Sequence, residues 1–290
     1  WTFTGGSGTL VNETSLSAQY ISDPAEEGPI ILTLTAQSDC GVVSDSLLIF
    51  INLPPDEDIW FLDSNGTGIY SSENTASGEY SIASGFQTEA SGNFSTAMGS
   101  NTIASGNQST AIGTGNSASG DYSISIGNDN TSAEGAFSLA MGIGTLANGN
   151  YSTTMGYNTT ASGIYSTAMG EGTIASGEGS TSTGLGSIAN GGYSTAMGAN
   201  TTASGFASTA LGQDTTASGT YSTAMGINTT ATKQGSVAMG ADTVADGQEA
   251  SAFGRATLAS GAISTAMGLG TTASANYSTA TGYNTTASGV

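Results

Sequence analysis

Ser194-Thr-Ala-Met-Gly-Ala-Asn-Thr-Thr-Ala-Ser-Gly-Phe-Ala207 is one unit of a repeat, and the next unit opens 14 residues later as Ser208-Thr-Ala-Leu-Gly212. Every methionine of the chain falls in the fourth slot of this unit: Met98, Met141, Met155, Met169, Met197, Met225, Met239 and Met267, each followed by Gly. Ile112, Ile126, Leu211 and Phe253 take the same slot. The step between blocks is 14 residues, with one step of 15 between Ile126-Gly127 and Met141-Gly142. A short fixed period with a fixed residue type in each slot means that every unit stacks on its neighbours. Stacked like coils build a rod, and a rod holds, spans or binds more readily than it catalyses.

A second column is glycine, at 14-residue intervals from Gly78 through Gly92, Gly106 and Gly120 to Gly289, with Lys233 and Ala275 as the exceptions. It marks one turn, and the Met-Gly pair precedes another. Two turns in 14 residues leave room for two strands of about four or five residues each. The expected fold class is therefore all-β: a parallel β-solenoid over 71–290, expected to continue past the chain end. Roughly 16 coils at ~4.8 Å give a rod on the order of 75 Å long.

Strand alternation assigns the faces. In Ser194-Thr-Ala-Met-Gly198, Ser194, Ala196 and Gly198 share one face, and Thr195 and Met197 the other. The opposite strand carries an alanine in each unit, such as Ala161, Ala203, Ala217 and Ala245. Two small-residue columns facing each other suit a thin coil, and the Met column then points outward. Monomeric soluble proteins rarely expose so long an apolar stripe. The stripe is therefore expected to be buried against other copies of the chain, most simply in a trimer. The alternative is that the methionines fill the coil's own interior. A column of aromatics lies two residues after the turn glycine (Tyr80, Phe94, Tyr122, Phe137, Tyr151, Tyr165, Tyr193, Tyr221, Tyr277). It is expected to stack along the rod, as packing or as a carbohydrate- or protein-binding strip. Thr159, Thr201, Thr215, Thr229, Thr271 and Thr285 form a further column, which read as a flat outward array would suit ice binding.

The first residues follow a different grammar. All four prolines, Pro24, Pro29, Pro54 and Pro55, and nearly half of the acids come before residue 64. Pro29–Ala36 and Val42–Asn52 are β-branched and aromatic runs that predict two strands, with a turn at Ser38–Gly41. Leu53-Pro-Pro-Asp-Glu-Asp58 reads as a stiff, solvated linker. The expected organisation is a small β domain at 1–53, a linker and N-terminal solenoid cap at 54–70, and the solenoid from 71. Trp1 reads as the middle of a domain and Val290 as the middle of a repeat, so a longer parent chain is expected.

Composition narrows the function. Two cations, Lys233 and Arg255, against a formal net charge of −20 make nucleic acid and anionic membranes poor partners. No apolar run is long enough to span a bilayer as a helix. With no His, one Cys and carboxylates scattered over variable turn slots, the usual nucleophile–base pairs are missing. No enzyme, cofactor or metal site is expected. The single Cys40 excludes an internal disulfide and reads as a small buried thiol.

Ser-Thr-Ala-Met-Gly, with the variants Gly235-Ser-Val-Ala-Met-Gly240 and Ser109-Thr-Ala-Ile-Gly113, resembles the head repeat of YadA-type trimeric autotransporter adhesins, a 14-residue S-V-A-I-G unit followed by A-x-A-x-G. The resemblance runs from about Ser71 to the end. It implies a left-handed parallel β-roll, three chains to a head, an extracellular or cell-surface location, and attachment to host matrix, glycans or other cell surfaces. The family's neck, stalk and membrane anchor have no counterpart in this chain, and similar repeats occur in phage tail-fibre-like proteins. Residues 1–53 resemble partial immunoglobulin- or PKD-like surface repeats of the Bacteroidetes, in W-T-F-T-G-G-S-G-T-L at 1–10, I-L-T-L-T-A at 31–36 and C-G-V-V-S-D-S-L at 40–47.

Asn-X-Ser/Thr sequons make Asn93, Asn107, Asn150, Asn158, Asn200, Asn228, Asn276 and Asn284 candidate glycosylation sites in the two turn columns. The function expected overall is a structural and adhesive surface fibre. A ligand-binding solenoid for carbohydrate or ice, or a receptor-binding fibre of phage type, is the alternative.

Overall fold

The computed structural model describes strands within 1–51, residues 61–62 and 69–70, and all of 73–289, in two compact units, 1–59 and 60–290. In the first unit Gly28–Ser38 and Gly41–Ile51 form an antiparallel hairpin with Leu32 opposite Leu47. Thr2–Thr4 pairs antiparallel to the first of these, and Thr9–Val11 pairs with Gln19–Ile21. The two strands anticipated from the sequence are thus present, the first longer at both ends and the second of the same length but one residue earlier. Cys40 and the 53–58 linker lie outside the described residues.

The second unit is a parallel β-solenoid, and no helix occurs among the described residues. Each coil contributes one five-residue strand, such as Thr195–Ala199, and one two-residue strand, such as Thr202–Ala203. The short strands form a 16-stranded sheet. The long strands pair in the same order, and the sheet they form is extended at its first edge by Ile69–Tyr70 and Phe61–Leu62. Pairing is in register throughout: Ala196 lies opposite Ala210, Met197 opposite Leu211 and Gly198 opposite Gly212. The 15-residue step is absorbed in the turn at Asn128–Asn130, so that Ile126 still faces Met141. The second strand is shorter than anticipated because residues 204 to 207 of the coil are spent on the turn.

The interior is built from the smallest side chains. Ala196, Ala203, Ser194 and Thr201 are all fully buried, as are most of their equivalents along the rod, while Ser278, Thr285 and Ala287 at its last coil are half-buried. Asn116 and a series of threonines are the largest fully buried side chains. Such a core gains little from any one residue, so stability rests on repetition and on the inter-coil hydrogen bonds, for instance Thr195 N–H to Ser208 O at 2.9 Å. Some core polar groups also hold backbone. Ser81 Oγ donates to Gly78 O at 2.7 Å, and Thr131 Oγ1 donates to Asn128 O at 2.9 Å and to Gly142 O of the next coil at 3.0 Å. Others, including Ser95, Ser109 and Thr102, have a hydroxyl without a partner, a standing cost of a core this thin.

Both glycine columns are required by the closeness of the coils. At Gly198, φ is 129° and an added Cβ would lie 1.8 Å from Gly212 O. At Gly191 an added Cβ would lie 2.1 Å from Gly205 O. Lys233 shows how an exception is handled: its N–H turns to the Ser236 hydroxyl at 3.2 Å, whereas Gly219 N–H donates to Ala231 of the next coil.

Candidate self-association face and aromatic edge

The outward residues of the long strands form three parallel columns. Thr195 and its equivalents make the first, and the Met column makes the second. Ala199 and its variable equivalents, among them Ile143, Tyr157 and Leu269, make the third. Met197 is 43% exposed and Met98 41%, while the neighbouring Ala97 and Ala196 are fully buried. Met141, Met155, Met267 and Ile112 are also exposed, and Ile126, Met169, Leu211, Met225, Met239 and Phe253 are half-buried along the same line. The methionines therefore lie outside their own coil, and the interior placement is not adopted.

Charge avoids this face. Among the outward positions of the long strands, Glu171 and Arg255 are the charged residues. The other acids of the described solenoid stand in turns, as Glu79, Asp121, Glu178, Asp214 and Asp242 do, or at isolated positions such as Glu89 on a short strand. A chain of net charge −20 thus presents a nearly uncharged, apolar flat strip along its full stack.

The threonine column named for ice binding is overturned. Thr159, Thr201, Thr215, Thr229 and Thr271 are fully buried, and Thr285 is half-buried in the last coil. Thr201 stands just before the short strand Thr202–Ala203, two residues from Ala203, and shares its interior face. The outward residue between them, Thr202, belongs to a mixed column with Ile188, Leu146 and Val244.

The aromatic column is exposed, at the turn before each long strand. Its residues adopt left-handed backbone, with φ of 59° at Tyr122, 58° at Phe137 and 60° at Tyr165. For a bulky side chain this conformation costs roughly 1–2 kcal/mol, and ring stacking offsets part of it. Tyr122, Phe137, Tyr151 and Tyr165 form a continuous pile with centroids 4.6, 5.0 and 5.0 Å apart. In that pile the ring faces cover one another and the edges meet solvent. The glycines at 179 and 235 in the same slot were the sequence sign of a positive φ. Tyr193 donates to Glu178 at 3.1 Å, and this bond together with the carboxylate's negative charge raises its phenol above the ordinary value. Tyr193 is expected to ionise above the ordinary phenol value in an absorbance titration, and Glu178→Gln to bring it down; an unchanged titration in the variant would contradict the pairing.

All eight candidate glycosylation asparagines are exposed. Several also have structural work. Asn93, Asn150 and Asn276 accept from the backbone N–H of Glu79, Ala136 and Ala262 in the preceding coil at 2.9–3.0 Å. Asn107, Asn200 and Asn228 donate to Asp121, Asp214 and Asp242 of the following coil. The longer coil leaves an open, polar depression of about 610 Å³ lined by Gly115, Asp129, Asn130, Gly144 and Asn158. Among the described residues no group of three or more acids or cysteines stands close enough to hold a metal ion, and no helix is long and apolar enough to cross a membrane.

A family model described as YadA head domain repeat (2 copies) matches the chain in a series of windows. The first are 76–102, 104–130 and 133–159, and the last are 231–257, 245–271 and 259–285. Together they cover well over half of the chain and leave the first unit unmatched, so the immunoglobulin- or PKD-like reading of 1–53 gains no support. No curated protein matches the chain.

Proposed function

The chain belongs to the YadA head-repeat family, and we propose that it is the rod-like head of an extracellular, surface-bound adhesive fibre in which three copies pack through their Met columns. The observation that supports the assembly is the nearly uncharged strip, with Glu171 and Arg255 as its charged residues, on a chain otherwise rich in negative charge. Two strongly acidic rods repel each other unless they meet where the acids are missing. Burying one Met side chain is worth roughly 1.5–3 kcal/mol. Repeated along the stack, this exceeds an association cost of about 4–15 kcal/mol even when half of it is realised. An adhesin-like rather than enzymatic reading is supported by acids that do not cluster in threes among the described residues, a described core without titratable groups, and a repeat that offers one long surface.

Attachment to host matrix, glycans or another cell surface is the function proposed for the surfaces left outside the assembly. The test is binding of the assembled chain to immobilised matrix proteins and a glycan array. Saturable binding to a defined subset is expected. Uniform absence of binding by an assembled rod would overturn the adhesive role and leave a spacer.

A further inference from the structure

The chain's eight methionines all stand in one outward column of the long strands, and no other described residue carries sulfur. Met141, Met155 and Met169 are direct neighbours in successive coils, as are Met225 and Met239. Met98, Met141, Met155, Met197 and Met267 are exposed on the single chain, and Met169, Met225 and Met239 are half-buried. Met, Ile, Leu and Phe are the apolar side chains that fill this slot. Of these, methionine alone is readily converted by peroxide into a polar one.

The fold tolerates a polar group in this slot. Thr183 lies between Met169 and Met197, and Thr281 follows Met267, both in unbroken register. The alanines just before the methionines, such as Ala168 and Ala196, are fully buried on the opposite face of the strand. The interior is therefore closed without any contribution from the Met side chains. Polarity added to the column changes the surface and leaves the coil as it is.

Given the assembly proposed above, we propose that the Met column is an oxidation site, at which peroxide acting on the free chain forms methionine sulfoxide and so blocks association of the copies. The sulfur lone pair attacks one peroxide oxygen and forms an S–O bond as the O–O bond breaks. The departing hydroxide takes the proton from the new S–OH group and leaves as water. Sulfur is oxidised and peroxide is reduced, and the product is the sulfoxide. Net charge does not change, so the effect is not repulsion. Each sulfoxide oxygen is hydrated and must be stripped of water when copies meet. Repeated at eight positions in every copy, that cost opposes the gain from burying thioethers. Sulfoxide formation disrupts Met-rich interfaces in general, and reductases return it to the thioether.

The measurement is light scattering of the full chain at micromolar concentration before and after treatment with hydrogen peroxide, with the added oxygens located by peptide mass spectrometry. The wild-type chain is expected to gain one oxygen at each of its eight methionines, to keep its β spectrum and to fall threefold in mass. The control carries Met197→Leu and the same change at the other seven positions. Leu211 already occupies the slot in register, so the fold accepts it, and this variant is expected to hold its mass through the same treatment. A wild-type chain that is single before any peroxide is added overturns the assembly, and the oxidation site with it. An assembled chain that takes up the oxygens and keeps its mass, or whose methionines resist peroxide, overturns the oxidation site and leaves the assembly standing. Dissociation of the leucine variant by peroxide, or loss of the β spectrum in the oxidised wild type, would place the effect elsewhere in the chain and overturns it equally.

Discussion

Replacing Met155, Met169, Met197 and Met225 together with Asp is expected to convert the assembly into single chains while the solenoid keeps its β spectrum. These four side chains lie on the outer face of the long strands, so their replacement leaves the Ala, Ser and Thr interior untouched. Four added carboxylates would have to be buried against copies carrying the same four, and the face holds a single cation, Arg255, to receive them. Removing one partner of a buried charge pair costs about 3–5 kcal/mol, and charges that never had a partner are no better placed. Replacement of the same four by Thr is the control. Thr183 and Thr281 already occupy the slot, so the fold accepts it, and the loss of assembly should be smaller. Light scattering separates the outcomes. A tetra-Asp variant that retains the wild-type mass would mean that the Met column is not the contact.

Gly198→Ala is expected to lower stability far more than a surface substitution. The residue sits at φ 129°, where a Cβ is strained, and that Cβ would meet the Gly212 carbonyl at 1.8 Å. Backbone strain of this kind costs about 1–3 kcal/mol, and a clash with backbone cannot be relieved by rotating a side chain. The coils must part instead, breaking inter-coil hydrogen bonds on both sheets. A loss of about 3 kcal/mol or more is expected by urea unfolding. Gly172→Ala is the comparison: φ there is 61° and nothing lies within 4 Å of the added Cβ, so a cost of about 1 kcal/mol is expected. Equal effects at the two positions would contradict the close packing of the glycine column.

The Met slot was legible from the sequence because alternation over Ser194–Met197 has one solution once alanine is taken as interior. The threonines were misplaced for the opposite reason. Thr201 and Thr202 are identical side chains side by side, and nothing local to the pair tells which one faces in. Ala203 does, two residues from Thr201. The aromatic column was legible as a stack along the rod, which the rings from Tyr122 to Tyr165 form, but the covering of their faces was not. That follows from left-handed backbone at each ring, which Gly179 and Gly235 signal only faintly. The asparagines had a hidden second role, since a bond from Asn93 to Glu79 spans one coil and exists only once the coils are stacked. Beyond the solenoid, two hairpin strands could be read in the first unit, where long β-branched runs meet no competing periodicity.

The mass of the wild-type chain in solution tests the central claim most directly. Multi-angle light scattering at micromolar concentration is expected to give three times the 28.4 kDa of one chain, falling to one chain for the tetra-Asp variant. A wild-type chain that is monodisperse at 28.4 kDa would contradict the assembly through the Met face.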